Sequence, residues 1–199
     1  MAKLYFYYSS MNAGKSSSLL QADFNYRERG MNTMLWTAAL DTRSEGMVRS
    51  RIGLEAEAHR FGTQTDLYDA IAVAHENEGA NALGQKGLDC VLVDEAQFLT
   101  PEQVWQLARV CDEVGVPVLC YGLRTDFLGE LFPGSAALLG IADALVELKA
   151  VCHCGRKATM NLRVDAAGNA ISEGKQTAIG GNESYVALCR RHFSEALAR

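Results

Sequence analysis

The stretch that decides the fold lies near the start of the chain, where LYFYY at residues 4–8 runs into SSMNAGKS at residues 9–16. The five apolar residues are typical of a short strand. The residues from Lys15 to about Arg29 have the pattern of a helix that stops at Gly30. The buried side of this helix is expected to carry Leu19, Leu20 and Phe24, with Tyr26 as a further candidate. The first unit of the chain is therefore predicted to be strand, loop and helix.

The loop at residues 9–16 has the composition of a phosphate-binding loop. It matches G-x-x-x-x-G-K-[ST] at Gly14, Lys15 and Ser16, whereas Ser9 stands where a first glycine is usual. Backbone N–H groups of such a loop and of the helix after it converge on an anion, and Gly14 permits the tight turn. Lys15 would place a positive charge on the β and γ phosphates, and the Ser16 hydroxyl is a hard ligand for Mg²⁺. The residues predicted to bind ATP with Mg²⁺ here are Ser9, Ser10, Met11, Asn12, Ala13, Gly14, Lys15 and Ser16.

Length and composition exclude several classes of protein. The 199 residues are enough for one ordinary domain with a small appendage. With 48% hydrophobic and 22% charged residues, a packed core is expected and global disorder is not. A formal net charge of -5 argues against a nucleic-acid polymer as partner, because such partners usually leave a basic surface. The N-terminus lacks the pattern of a signal peptide and no apolar run approaches the roughly 20 residues that span a bilayer, so we expect a cytoplasmic protein with no membrane partner.

Strand and helix signals alternate through the first three quarters of the chain. Further strands are predicted at residues 32–37, 88–93, 116–121 and 144–148, and further helices at residues 67–78 and 100–114. The second of these helices has Thr100 as its cap, Pro101 at its first position and Gln103 at the capping-box position, and Gly115 ends it. Residues 42–65 are predicted to be irregular, and residues 77–86 to form a loose surface loop. The alternation is typical of a parallel α/β sheet.

The character of the sequence changes near residues 149–151, where hydrophobic runs shorten and cysteines appear. We place a domain boundary there, between a first domain at residues 1–149 and a smaller one at residues 150–199. Within the smaller domain, DAAG at residues 165–168 predicts a hairpin turn.

An acidic pair follows the apolar strand at residues 88–93. A phosphate-binding loop needs a carboxylate at the end of a neighbouring strand to hold the metal through its water shell, and Asp94 is in that position. Glu95 comes directly after it and is well placed to take a proton from a nucleophile. If the acceptor is water the protein is an ATPase, and if the acceptor is a substrate hydroxyl it is a kinase. The spacing alone leaves both readings open.

A cluster of cysteine and histidine residues lies near the C-terminus. Thiolates and imidazole suit Zn²⁺, and four protein ligands leave no open position for chemistry, so a structural zinc site is predicted. Its ligands are predicted to be Cys152, Cys154, Cys189 and His192, with His153 as the alternative to His192. Disulfides are not expected in a reducing compartment. The remaining cysteines, Cys90, Cys111 and Cys120, lie in apolar stretches and are predicted to be core residues.

The order and spacing of the phosphate loop, VDEAQF at residues 93–98 and the C-terminal cysteine cluster closely resemble the type II thymidine kinases, the cytosolic family unrelated in fold to the herpesvirus enzymes. Further stretches that carry the resemblance are YYSSMNAGKS, ALDTR, LCYGLRTDFLGELF, LVELKAVC and IGGNESYVALCRRH. The match covers nearly the whole chain, and Ser9 and the C-x-C spacing look like the bacterial branch. The resemblance implies a RecA-like α/β domain with a small zinc-binding lasso domain. It also implies transfer of the γ-phosphoryl group of ATP to the 5′-hydroxyl of thymidine, giving dTMP.

The resemblance further implies roles for single residues. Glu95 looks like the general base, and Asp94 would hold Mg²⁺ through its waters. Asp41 and Arg43 of ALDTR would lie near the metal and the phosphates, and Gln97 is grouped with these nucleotide-binding residues. The nucleoside pocket would be walled by Phe98, Leu123, Phe127 and Phe132, with Tyr185 reaching the sugar and Ile179, Gly180 and Gly181 reading the thymine edge. The family also suggests a homotetramer and feedback inhibition by dTTP.

Two other classes of protein share part of this pattern. The first is an ATPase or nucleic-acid motor whose zinc ribbon binds nucleic acid, and the acidic balance of the chain speaks against it. The second is a nucleotide-binding regulatory protein without catalysis, which Lys15 and Glu95 argue against. A substrate screen separates all three.

Overall fold

A computed structural model describes residues 1–40, 46–174, 176 and 185–198. The strands in chain order are β1 (Leu4–Ser9), β2 (Thr33–Ala38), β3 (Met47–Arg49), β4 (Glu55–Glu57), β5 (His59–Phe61), β6 (Cys90–Val93), β7 (Val118–Leu123), β8 (Ala144–Glu147), β9 (Ala150–Val151), β10 (Lys157–Ala158), β11 (Met160–Arg163) and β12 (Tyr185–Leu188). The helices are α1 (Lys15–Glu28), α2 (Leu67–Asn77), α3 (Pro101–Arg109), α4 (Pro133–Ile141) and α5 (Arg190–Ala196).

Six strands form one parallel sheet in the order β5-β2-β6-β7-β1-β8. The predicted parallel α/β architecture is therefore confirmed, and every strand predicted from the apolar runs belongs to this sheet. The carboxyl ends of parallel strands meet at one edge of a sheet, so the loops after β1, β6 and β7 lie side by side. This edge is where the sequence places its candidate functional residues.

Both faces of the sheet are covered. In β1, Leu4 and Phe6 pack into the apolar layer that helices α2, α3 and α4 share, whereas Tyr5 and Tyr7 pack into the opposite layer with α1. The Tyr7 ring stacks on Tyr121 with 4.6 Å between the ring centroids. A strand that is buried on both faces needs apolar residues at successive positions, which explains the continuous apolar runs of the sequence. The buried thiols of Cys90, Cys111 and Cys120 belong to these layers, as predicted.

The helix ends follow the predicted signals. Thr100 and Gln103 form the capping box, in which the Thr100 hydroxyl accepts a hydrogen bond of 3.2 Å from the Gln103 N–H. The Gln103 side chain accepts one of 3.0 Å from the Thr100 N–H in return. After α3 the chain continues through a π-helical turn, Val110–Val114, and stops at Gly115, whose φ is 82°. None of the described helices is both long and apolar enough to cross a bilayer.

Two sequence predictions about local structure are wrong. Residues 47–61 are not irregular, because β3 and β4 form an antiparallel hairpin and β5 pairs in parallel with β2 at the sheet edge. These strands have only three residues each, too few for a periodic signal to stand out. Phe24 is 59% exposed rather than buried, since α1 buries the side that carries Leu19 and Leu20.

Helix α4 has no counterpart in the sequence prediction. Its sequence, PGSAALLGI, is apolar and small throughout, so that no polar stripe marks its helical period. The helix is held by close backbone contact at Gly134. A Cβ atom built there would lie 2.6 Å from the carbonyl oxygen of Leu99 and 2.8 Å from that of Ala96.

The C-terminal residues build a separate apolar cluster beside the sheet. Strands β9 and β10 form one antiparallel pair and β11 and β12 form another. The cluster contains Cys152, Leu162 and Phe193, and Ala13 of the phosphate loop packs against it. The predicted hairpin turn at residues 165–168 is confirmed by a hydrogen bond of 3.0 Å from the Gly168 N–H to the Asp165 carbonyl.

Candidate active site

The phosphate loop connects the end of β1 to the start of α1. Gly14 has a φ of 80° and Asn12 a φ of 64°, left-handed conformations that reverse the chain within a few residues. The Lys15 ammonium lies across the loop and donates hydrogen bonds to Ser9 Oγ at 3.2 Å and to the Ser10 carbonyl at 3.0 Å. Ser9, at the position where a first glycine is usual, thus supplies a hydroxyl that contacts the lysine.

The metal-binding candidates of the loop and of the sheet edge meet directly. Ser16 Oγ donates a hydrogen bond of 2.9 Å to Asp94 Oδ2, although 78 residues separate them in sequence. Burial and the neighbouring Glu95 carboxylate raise the pKa of Asp94. The hydrogen bond from Ser16 acts in the opposite direction but does not cancel this rise. Burial also lowers the pKa of Lys15, and the charges of Glu95 and Asp94 only partly oppose this. The site thus brings the Lys15 ammonium and the Ser16 hydroxyl together with the carboxylates of Asp94 and Glu95.

Glu95 is held by its backbone and by a neighbouring amide. It has a φ of 54° and a ψ of 36°, a left-handed conformation that costs energy in a residue with a side chain. The Gln97 side chain donates a hydrogen bond to the Glu95 carboxylate, and its oxygen accepts one of 3.0 Å from the Leu123 N–H. Gln97 is 1% exposed, so both ends of its amide are engaged inside the protein. Gly122 makes room for this bridge, because a Cβ there would lie 3.0 Å from Gln97 Oε1.

A single cavity of about 630 Å³ joins these groups to the predicted nucleoside pocket. The predicted site residues that line it are Met11, Asn12, Gly14, Lys15, Ser16, Asp94, Glu95, Gln97, Phe98, Leu123, Phe127, Phe132 and Tyr185. Phe98 meets Phe132 edge to face, with 5.8 Å between ring centroids and an interplanar angle of 79°. Such a wall suits a planar, uncharged ring.

Other predicted residues do not reach the cavity or lie outside the described part of the chain. Ser9 and Ser10 are buried beneath the loop, and Ala13 packs against the C-terminal cluster. Asp41 and Arg43 are outside the described residues. So are Ile179, Gly180 and Gly181.

Sequence reasoning missed two side chains that connect the C-terminal segment to the site. Asn161 Oδ1 accepts a hydrogen bond of 2.6 Å from the Met11 N–H, and Asn161 Nδ2 donates one of 3.0 Å to the Thr125 carbonyl. Gln176 Nε2 donates a hydrogen bond of 3.0 Å to Asp126 Oδ2. Neither asparagine nor glutamine carries a sequence signal for such a role.

The hairpin of β3 and β4 was missed as well. Met47, Arg49, Ser50, Arg51 and Ile52 line the cavity from this side. Because the segment was predicted to be irregular, nothing in its sequence indicated that two arginines would face the same cavity as Lys15.

The predicted zinc ligands lie together. Each of four side chains offers one sulfur or ring nitrogen, and these atoms all lie within 4.8 Å of one another: those of Cys152, Cys154, Cys189 and His192. His192 Nδ1 lies 3.3 Å from Cys152 Sγ and 3.6 Å from Cys189 Sγ, and the sulfurs of Cys154 and Cys189 are 3.9 Å apart. A tetrahedral zinc ion with bonds of about 2.3 Å to sulfur and about 2.0 Å to nitrogen separates its ligands by roughly 3.5–3.8 Å. The cluster could therefore hold a metal such as zinc.

His153, the alternative ligand, lies beside this cluster rather than within it. Its ring stacks on that of His192 with 4.3 Å between centroids, and its Nδ1 is 3.8 Å from Cys152 Sγ. The structure therefore groups His192 with the three cysteines.

Comparison with known proteins gives a consistent family. The sequence profile described as "Thymidine kinase" matches residues 2–193. The chain is 71% identical to the thymidine kinase of Novosphingobium aromaticivorans and 61% identical to that of Vibrio cholerae serotype O1, in each case over the full length of both chains. It is 62% identical to the thymidine kinase of Zymomonas mobilis, over 99% of this chain and 98% of the relative. A full-length match, a parallel sheet with the phosphate loop at its edge and a clustered cysteine–histidine set together show that the chain belongs to the thymidine kinase family.

Proposed function

We propose that this chain transfers the γ-phosphoryl group of ATP to the 5′-hydroxyl of thymidine and releases dTMP. The observation that carries the proposal is the shared cavity, in which Lys15, Asp94 and Glu95 line the same space as Phe98 and Tyr185. A donor and an acceptor held in one such space can react without a diffusive encounter. Membership of the thymidine kinase family supports the choice of acceptor.

At the donor end, the loop of residues 9–16 binds the triphosphate and Lys15 offsets the charge of its β and γ phosphates. The oxygen donors present fit a hard divalent ion, because the Ser16 hydroxyl and the Asp94 carboxylate lie 2.9 Å apart at the loop. Bound Mg²⁺ would neutralise part of the negative charge of the phosphates. Asp41 and Arg43 are proposed to assist at this end.

At the acceptor end, Glu95 takes the proton from the 5′-hydroxyl as that oxygen bonds to the γ phosphorus, while the bond from phosphorus to the bridging oxygen of ADP breaks. The hydrogen bond that Gln97 donates to the Glu95 carboxylate fixes the orientation of that carboxylate. Phe98, Leu123, Phe127 and Phe132 hold the base, and Tyr185 contacts the sugar. The backbone of Ile179, Gly180 and Gly181 is proposed to read the thymine edge.

The chain is proposed to divide into a RecA-like phosphate-loop domain at residues 1–149 and a zinc-binding lasso domain at residues 150–199. The separate apolar cluster around Cys152, Leu162 and Phe193 supports this division. A structural zinc ion on the three cysteines and His192 would tie the two ends of the lasso together. Gln176 lies between Cys154 and Cys189 in the sequence, and it donates a hydrogen bond to Asp126 in the cavity wall.

Three further properties complete the proposal and rest on the family resemblance. The chain assembles as a homotetramer, dTTP inhibits it by feedback, and it acts in the cytoplasm. Size measurement by light scattering and inhibition by dTTP at fixed thymidine test the first two.

The function is tested by incubating the purified protein with ATP and each nucleoside in turn and measuring the nucleoside monophosphate formed. We expect dTMP from thymidine and little product from purine nucleosides. ATP hydrolysis that DNA stimulates, with no dTMP, would instead show an ATPase or motor. Binding of ATP without turnover of any nucleoside would show a regulatory protein.

A further inference from the structure

The hairpin of β3 and β4 is attached to the helix that follows the phosphate loop. Val48 is 1% exposed and packs in the same apolar layer as Leu19 and Leu20 of α1. Side chains alternate along a strand, so the neighbours of Val48 point away from this layer. Those neighbours, Met47 and Arg49, line the cavity. Packing of Val48 therefore anchors the hairpin to the helix that follows the phosphate loop.

The tip of the hairpin is a hydrogen-bonded turn. The Gly53 N–H donates to the Ser50 carbonyl at 3.2 Å, and the Ser50 N–H donates to the Leu54 carbonyl at 2.8 Å. The Ser50 hydroxyl accepts a further bond of 3.0 Å from the Leu54 N–H. Gly53 has a φ of 87°, the left-handed conformation that the turn needs. Arg51 is thus held at the first central position of a formed turn, and it lines the cavity.

The two arginines of the hairpin differ in their partners. Arg49 Nε lies 3.2 Å from Glu55 Oε2 across the hairpin, so its charge is partly offset. Arg51 is exposed and forms no ion pair with any of the described residues. Among the described residues that line the cavity, the cations are Lys15, Arg49 and Arg51. Of these three described cations, Arg51 is the one whose guanidinium N–H groups are not engaged by another described residue.

The chemistry of the site calls for such a group. Asp94 and Glu95 already place negative charge in the cavity, and a triphosphate adds more. In phosphoryl transfer the charge spreads over the equatorial oxygens of the transferred group, and an arginine that contacts them stabilises the transition state. The planar guanidinium can donate two parallel hydrogen bonds to these oxygens, which an ammonium cannot do.

We propose that Arg51 is a catalytic residue that binds the equatorial oxygens of the phosphoryl group during its transfer from ATP to the nucleoside. The step itself is unchanged: the 5′-oxygen bonds to phosphorus, the bond to the bridging oxygen of ADP breaks and the proton goes to Glu95. Arg51 neither gives nor takes a proton, and its contribution is charge. This inference rests on the proposed kinase function.

The test compares Arg51→Ala and Arg51→Lys with the control Arg29→Ala, which changes an exposed arginine at the end of α1 that does not line the cavity. Thermal unfolding of each variant checks the fold, and dTMP formation gives kcat and KM for ATP and thymidine. We expect Arg51→Ala to lose about 100-fold or more in kcat with a small change in the KM for thymidine. Arg51→Lys should recover part of the loss, and Arg29→Ala should stay within a few-fold of the wild type.

Rescue by added guanidinium ion distinguishes a chemical role from a structural one. At concentrations that do not unfold the protein, guanidinium should raise the rate of Arg51→Ala and leave that of the wild type unchanged. A rate of Arg51→Ala within threefold of the wild type would overturn the inference. So would an equal loss in Arg29→Ala, or a loss in Arg51→Ala that added guanidinium does not relieve. A wild-type protein that forms no dTMP would instead refute the proposed function itself.

Discussion

The side-chain oxygen of Asn161 accepts a hydrogen bond of 2.6 Å from the backbone N–H of Met11, across 150 residues of sequence. The same amide donates to the Thr125 carbonyl, on the loop after β7. Asn161 is 2% exposed, so water does not compete for either bond. One side chain of the C-terminal segment thereby joins the phosphate loop to the loop that walls the nucleoside pocket.

We therefore expect Asn161→Ala to weaken both halves of the site together. Each lost bond to a buried backbone group costs about 1 kcal/mol or more, because its partner is left without water. The variant should unfold at a lower temperature and show a raised KM for both ATP and thymidine. The control is Asn169→Ala, since Asn169 is exposed and, among the described residues, its hydrogen bonds are to the side chain and backbone of Asp165. A change in KM for one substrate alone would contradict the coupling.

Glu95→Gln should bind ATP as tightly as the wild type but lose about 100-fold or more of its thymidine phosphorylation, because the amide cannot accept the proton. ATP affinity can be measured by calorimetry and the rate by dTMP formation. Glu102→Gln, a change of the same kind on the exposed surface of α3, is the control and should leave the rate unaltered. Unchanged turnover in Glu95→Gln would remove Glu95 from the role of base.

Gln97→Glu should shift the pH dependence of the reaction. The new carboxylate can still accept from the Leu123 N–H, but it replaces a donor to Glu95 with a like charge. Two carboxylates in contact repel each other, so ionisation of both together is disfavoured. Because the base must be ionised, the acid limb of kcat/KM should move to higher pH. An acid limb at the wild-type position would show that Glu95 does not define it.

The cysteine–histidine cluster should hold about one zinc ion per chain when the protein is purified without chelator. Cys189→Ala should lose the metal and lower the unfolding temperature, because metal binding and folding of the C-terminal segment are coupled. Cys111→Ala is the control, since this buried thiol lies outside the cluster and its loss should leave the metal content intact. Metal analysis that finds no zinc in the wild type would refute the assignment.

Local signals were sufficient for the regular elements that carry the site. The run at residues 4–8 and the Gly14-Lys15-Ser16 sequence predicted strand, loop and helix, and all three are present. The Thr100 and Gln103 capping box formed as expected, since its atoms lie within one turn. Short or compositionally uniform elements escaped notice. The β3–β4 hairpin has three residues in each strand, and α4 is apolar throughout.

The sequence by itself determined the α/β class, the phosphate loop, the acidic pair and the three cluster cysteines, because each depends on residue type at short spacing. Only the tertiary structure decided that Asn161 contacts Met11, that Gln97 links Glu95 to Leu123 and that Arg51 faces the cavity of Lys15. These contacts join segments far apart in the chain. The physical reason is that their geometry depends on how the elements pack, and packing is set by the whole core rather than by any local pattern.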